Sequence, residues 1–378
     1  MKRLSATILV FLLLLLAACS STAPNATTPT LGAAGSTQLP APLYVLDNGQ
    51  IARIERDGVS RALVTSETIE VQGFPPVATF GISPQGNLAF VVGDLKADRL
   101  VLSGPKGEDR RIRYEAEGHE LSDIVWSPDG SQIYLRLLNN LDPPDIPSGI
   151  YRMEAAGGPL ELLLADDPLP DAANSMQMAH EYHPFKIAPD SSRLLVEIDD
   201  LTQNSCTLGI LPSDGSAFLH LSPPDGLVIY CGDADWSADA RRVALLAGDG
   251  AGPQLWQADA QTGAMTALAT TNVLARAPLW LPDGGLRFIW ASREGGQGKL
   301  QFALAQIAQS QGTPTMIGPI FHEPLGQVLW AVDGSGAMTV VAPEDQVLDL
   351  RWMPVHGAAV ALPNTKQRIG DLAWGPVE

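Results

Sequence analysis

The sequence predicts an all-β protein, a seven-bladed β-propeller spanning residues 42–378 whose ring closes by pairing its first strands with its last. Three observations predict it. A short segment ending in a bulky residue and a Pro-Asp-Gly-like turn recurs at positions 81, 126, 187, 236, 280, 330 and 374, a spacing of 44 to 61 residues. Two hairpins' worth of alternating strands fit between successive anchors. The repeats also begin with three strands that lack an anchor and end on an anchor strand with nothing after it.

The chain opens with Lys2 and Arg3, an apolar run over residues 8–16, and Ala17-Ala18-Cys19-Ser20. The run has the length of a signal-peptide core and is shorter than the ~20 residues a membrane-spanning helix needs. Residues 1–18 read as a signal peptide. Leu16-Ala17-Ala18-Cys19 resembles the lipobox of bacterial lipoproteins. That resemblance implies a diacylglycerol thioether on Cys19, cleavage before it, acylation (palmitate) of the new amino group, and a lipid-anchored, extracytoplasmic location on the cell membrane or an outer membrane. One acyl chain holds a protein weakly and two hold it stably. Residues 19–41 are small, polar, uncharged and dotted with proline, so they read as a flexible tether.

The formal charge of −18 comes with no basic run larger than Asp109-Arg110-Arg111 and Arg113. Nucleic-acid binding needs a basic footprint and is not expected. Membrane attachment is assigned to the acyl chains for the same reason. An acidic, self-repelling domain is expected to be a monomer.

Residues 42–66 hold three strand-like pieces separated by turns at Asp47-Asn48-Gly49 and Asp57-Gly58. The anchors follow: Trp126-Ser-Pro-Asp-Gly and Trp280-Leu-Pro-Asp-Gly are the fullest, Trp236-Ser-Ala-Asp-Ala the most eroded. In each turn proline fixes φ, aspartate caps local N–H groups and glycine takes the left-handed position. Asp129, Asp190, Asp239, Asp283 and Asp333 therefore read as turn-capping residues. One carboxylate per blade is too dispersed for calcium, which needs several converging oxygens. Trp352 lies half a period from its neighbours and reads as the outer hairpin of the sixth blade. Six or eight blades are the alternatives. The final strand, at Trp374, completes the blade that residues 42–66 begin, removing a free sheet edge.

These Trp-Ser-Pro-Asp-Gly segments resemble the repeats of TolB-like β-propellers, a fold also found in the non-catalytic propeller of prolyl oligopeptidases. The resemblance covers nearly all of residues 42–378 and implies fold rather than activity.

The longest insertion, between anchors 126 and 187, carries Asp166, Asp167, Asp171, Met176 and the run His180-Glu181-Tyr182-His183. These four read as rim-binding residues on a long loop. No third metal ligand is identifiable, and no metal or other cofactor is expected. Glu197, Asp199 and Asp200 read as a solvated acidic rim. Cys206 and Cys231 form a disulfide candidate in an oxidising compartment. Most tryptophans occupy anchor positions and read as core. No Gly-x-Ser-x-Gly elbow or phosphate loop occurs, and no catalytic residue is identified. The expected function is a non-enzymatic interaction module that displays a rigid ring to a protein, peptide or cell-wall partner. Two alternatives stand: a glycan lyase or hydrolase with its site at the central channel, and a small-ligand sensor.

Overall fold

The structure, a computed structural model, describes residues 38–68, 75–93, 97–141, 144–169, 177–268, 274–293, 300–308, 312–341, 348–363 and 369–377. Cys19, the rest of residues 1–37, Asp171 and Met176 lie outside the described residues. Among the described residues no helix is long and apolar enough to cross a membrane.

Among the described residues, twenty-nine strands form seven antiparallel sheets, which are the seven blades. The chain enters through β1 (Leu43–Asp47), β2 (Gln50–Ile54) and β3 (Arg61–Leu63). Blade 1 is β4 (Val77–Ile82), β5 (Leu88–Gly93), β6 (Ala97–Ser103) and β7 (Arg111–Glu117). Blade 2 is β8 (His119–Trp126), β9 (Gln132–Asn139), β10 (Gly149–Glu154) and β11 (Glu161–Ala165). Blade 3 has five strands: β12 (Asp167–Pro168), β13 (Met178–Ile187), β14 (Arg193–Asp200), β15 (Ser205–Pro212) and β16 (Leu219–His220). Blade 4 is β17 (Val228–Trp236), β18 (Arg242–Gly248), β19 (Gln254–Asp259) and β20 (Met265–Ala267). Blade 5 is β21 (Leu274–Trp280), β22 (Leu286–Arg293), β23 (Leu300–Ile307) and β24 (Thr315–Phe321). Blade 6 is β25 (Leu325–Trp330), β26 (Gly336–Val341), β27 (Asp349–Pro354) and β28 (Val360–Ala361).

β29 (Ile369–Trp374) closes the ring as part of blade 7. It pairs antiparallel with β1, Leu43 opposite Trp374 and Tyr44 opposite Ala373, in the sheet order β29-β1-β2-β3. The seven-blade count and the terminal closure are thus observed, and Trp352 sits on β27 in the outer half of blade 6. The folded part starts earlier than residue 42. Leu39 and Ala41 are buried with Leu43 and Trp374 between blades 6 and 7, and Leu39 N–H donates to the Arg56 carbonyl.

The core is divided by blade interface. Seven apolar clusters each join the facing sides of two neighbouring blades; one contains Leu195 and Leu208 of blade 3 with Trp236 and Val243 of blade 4. A four-stranded blade has two apolar faces and must be covered on both, so the sheets stack in a circle.

The turns after the inner strands share one geometry. At positions 86, 130, 191, 240, 284 and 334 the backbone has positive φ, and each of these N–H groups donates to the carbonyl three residues back. Glycine holds four of these positions; Ser191 (φ 60) and Ala240 (φ 56) hold the other two without glycine's freedom. The aspartates act on the same turns. Asp129, Asp190, Asp239, Asp283 and Asp333 each accept the N–H two residues ahead, at 2.9 to 3.1 Å. Hydroxyls of Ser127 and Ser131 add to this at Asp129 and lower its pKa to about 2.

Candidate functional site

Polar contacts between neighbouring blades gather on the first long strand of each blade and the strand beside it, where the pairing is irregular. Every inner strand is out of register with its neighbour by at least one extra residue. In β8 the break falls between Ser122 and Val125, and Asp123 takes φ 54. In β17 it spans Tyr230 to Ala234 and carries Cys231, Gly232 and Asp233. A bulge bends its strand and re-aims the unpaired residue.

The result is a belt of polar contacts running from blade to blade. Thr79 Oγ1 of blade 1 donates to Asp371 of blade 7 at 2.9 Å. His183 of blade 3 bonds through Nδ1 to Asp123 of blade 2 at 2.9 Å. Glu197 of blade 3 accepts the Gly232 N–H of blade 4. Asp233 of blade 4 accepts from Arg276 Nε of blade 5 at 3.2 Å, and Arg276 donates again to the Leu325 carbonyl of blade 6 at 3.1 Å.

Around His183 the charges concentrate. Its Nε2 faces Asp199 at 3.6 Å and Glu181 at 3.9 Å without hydrogen-bonding to either. Arg136 bridges Asp166 at 2.9 Å and Glu181 at 3.1 Å, and Asp166 accepts the Tyr182 N–H. Desolvation works against a charged imidazole at His183, but the bond to Asp123 and the surrounding carboxylates outweigh it and raise its pKa. Desolvation likewise opposes the Asp123 carboxylate, and the same His183 partner brings it below the usual carboxylate range. Burial pushes Glu197 and Asp371 upward. The Asp123 carboxylate remains 38% exposed, whereas His183 Nε2 is buried.

This changes the reading of residues 180–183. They do not form a rim loop. They lie on β13 of blade 3, where His183 and Glu181 reach Asp123 and Arg136 of blade 2 while Tyr182 is buried among Tyr134, Leu163 and Leu194. His180, near the strand start, bonds to Asp167 at 3.1 Å, and the Tyr182 hydroxyl donates to the same carboxylate at 2.7 Å. Glu197, half-buried on β14, accepts the Gly232 N–H, and Asp199, 42% exposed, lies on the His183 side. A disulfide joins Cys206 of β15 to Cys231 in the β17 bulge, stapling blade 3 to blade 4 beside Glu197 and Asp233. Among the described residues no group of three or more His, Cys, Asp or Glu is arranged to hold a metal ion.

Sequence reasoning passed over Asp123, Asp233 and Asp371. The signal was present: each lies three residues before an anchor tryptophan, at Trp126, Trp236 and Trp374. Stacking the repeats on their anchors would have exposed a recurring aspartate column just where the bulges fall.

No protein-family profile and no curated protein sequence matches the chain. Solved structures do resemble it. A prolyl endopeptidase studied for inter-domain dynamics in catalysis and specificity superposes with a TM-score of 0.58 at 11% identity, covering 86% of this chain and 50% of that one. A functionally unknown protein from Desulfotomaculum acetoxidans gives 0.55 at 12% identity, covering 89% of this chain and all of the other. TolB from Acinetobacter baumannii gives 0.47 at 15% identity, covering 92% and 69%; at that TM-score the superposition carries no argument. The chain spans half the length of the prolyl endopeptidase, and identities this low speak to the fold alone.

Proposed function

We propose that the chain is a lipid-tethered propeller working outside the cytoplasm, whose central channel receives a positively charged segment of a protein or cell-wall partner. The carrying observation is the charge of the axial belt. Asp123, Glu181, Glu197, Asp199, Asp233 and Asp371 converge from blades 2, 3, 4 and 7, and only His183, Arg136 and Arg276 oppose them among the described residues of the belt. Low-dielectric walls of one predominant sign focus field lines and concentrate counter-charged ligands. The overall charge of −18 favours the same encounter. Cys19 and the residues that follow it supply the tether in this reading, and mass spectrometry of the mature N-terminus, looking for diacylglycerol on Cys19, tests that part.

The channel part is tested by fluorescence anisotropy with a labelled oligolysine and an oligoglutamate control. Asp371→Asn and Asp123→Asn are expected to weaken oligolysine binding several-fold at constant salt, while Asp190→Asn on an exposed turn leaves it unchanged. Equal weakening by all three would reduce the effect to net charge and sink the proposal.

One observation favours a second reading, catalysis at the same place. An imidazole oriented by Asp123 through Nδ1, with a buried Nε2 left unbonded, has the orientation of a general base. A glycan lyase or hydrolase activity lost in His183→Gln would establish that reading in place of the first.

A further inference from the structure

The outer seam between blades 7 and 1 carries chemistry that the channel does not use. In a chain of charge −18, three guanidinium groups, those of Arg99, Arg110 and Arg111, line one cavity of about 310 Å³. Arg99 sits on β6 opposite Val92, and Arg111 opens β7. The single carboxylate among the lining residues, Glu67, is fixed by Gln50 of blade 7. The Gln50 amide accepts the Glu67 N–H at 3.0 Å and donates to the Glu67 carbonyl at 2.8 Å. Glu67 in turn pairs with Arg110, whose guanidinium lies 5.3 Å from the centroid of the Phe90 ring. Arg110 is therefore held by an ion pair and an aromatic face. Arg99, half-buried, and Arg111 have no hydrogen-bond or ion-pair partner among the described residues. The wall between them is apolar: Val92 is buried, and Ile112 is 56% exposed.

We propose that this seam binds a small organic anion, a phosphate or carboxylate group on an apolar body. A guanidinium presents paired N–H donors whose geometry matches an oxyanion. Arg99, half-buried and without a partner, loses hydration to the cavity wall, and an anion beside it restores the lost hydrogen bonds, while the exposed Arg111 adds a second positive charge at the cavity's edge. The volume lies at the small end of ligand-sized pockets and exceeds what a bare oxyanion fills. Ile112 supplies the surface that an apolar body would cover. The seam lies outside the axial belt, so this site stands or falls independently of the channel.

Calorimetric titration of the full-length protein with phenyl phosphate, benzoate, inorganic phosphate and benzyl alcohol tests it. Phenyl phosphate or benzoate should bind saturably at one site, about tenfold or more tighter than inorganic phosphate, with benzyl alcohol silent. Arg99→Gln should weaken that binding about tenfold or more, and the exposed Arg111→Gln several-fold, while Arg241→Gln on blade 4 leaves it intact. Thermal unfolding of each variant shows that the ring is intact, and Arg111→Gln decides the matter even if Arg99→Gln is unstable. The proposal is overturned if neither aromatic anion saturates the protein, or if both seam variants bind as the parent does.

Discussion

The turns after the inner strands offer a matched set of perturbations. Gly284 has φ +83, and a Cβ placed there would meet nothing within 4 Å, so Gly284→Ala isolates the backbone cost. A non-glycine residue in the left-handed region costs roughly 1–2 kcal/mol. Replacing glycine also removes unfolded-state freedom, returning roughly 0.4–1 kcal/mol. The expected result is a loss of about 0.5–1 kcal/mol. Ser191 is the mirror case: its φ is 60 in the equivalent turn, and its side chain makes no hydrogen bond, so Ser191→Gly should gain about the same amount. Ala240 has φ 56 but is only 3% exposed. Ala240→Gly relieves the same strain and forfeits a buried methyl worth about 0.8 kcal/mol, leaving a change near zero. Urea unfolding of the purified protein reads all three as midpoint shifts at constant m-value. If Gly284→Ala and Ser191→Gly moved the midpoint in the same direction, or if Ala240→Gly stabilised as much as Ser191→Gly, the turn argument would be refuted.

Three further outcomes are expected. Reducing the Cys206–Cys231 bond frees a loop spanning a separation of 25 residues, which by loop entropy should cost about 3.5 kcal/mol in urea unfolding with and without reductant; an unchanged midpoint would contradict this. Asp123→Asn should bring the His183 pKa from above 6.5 to below it, because desolvation remains when the partner charge is gone, and NMR titration of the imidazole reads this directly. The stabilisation carried by His183 is fully present below its unfolded value of 6.5 and is lost as pH rises through its raised folded value. That carried by Asp123 is present above 3.8 and is lost as pH falls through its lowered folded value. Trp374→Ala removes the ring that packs edge-on against Trp352 at 5.7 Å in the closing blade, and should cost about 3–5 kcal/mol by thermal or chemical unfolding.

The blade count, the ring closure and the chemistry of the turns were legible in the sequence because each is local or periodic. A Pro-Asp-Gly turn carries its own φ requirement and its own cap, and strands of alternating pattern recur on a fixed period. Residues 42–66 could be assigned to the strand at Trp374 because a sheet that lacks its innermost strand and a strand that lacks its sheet complete one another. The axial belt was decided only by the tertiary structure. Simple alternation predicts which side chains share a face, and every inner strand breaks that alternation with at least one extra residue. That break turns Asp123 inward, and the contacts that give it meaning, to His183 sixty residues away and onward to Asp199, exist only because neighbouring blades converge on one axis. Long-range convergence depends on the radius at which seven sheets pack, and no stretch of sequence records that radius by itself.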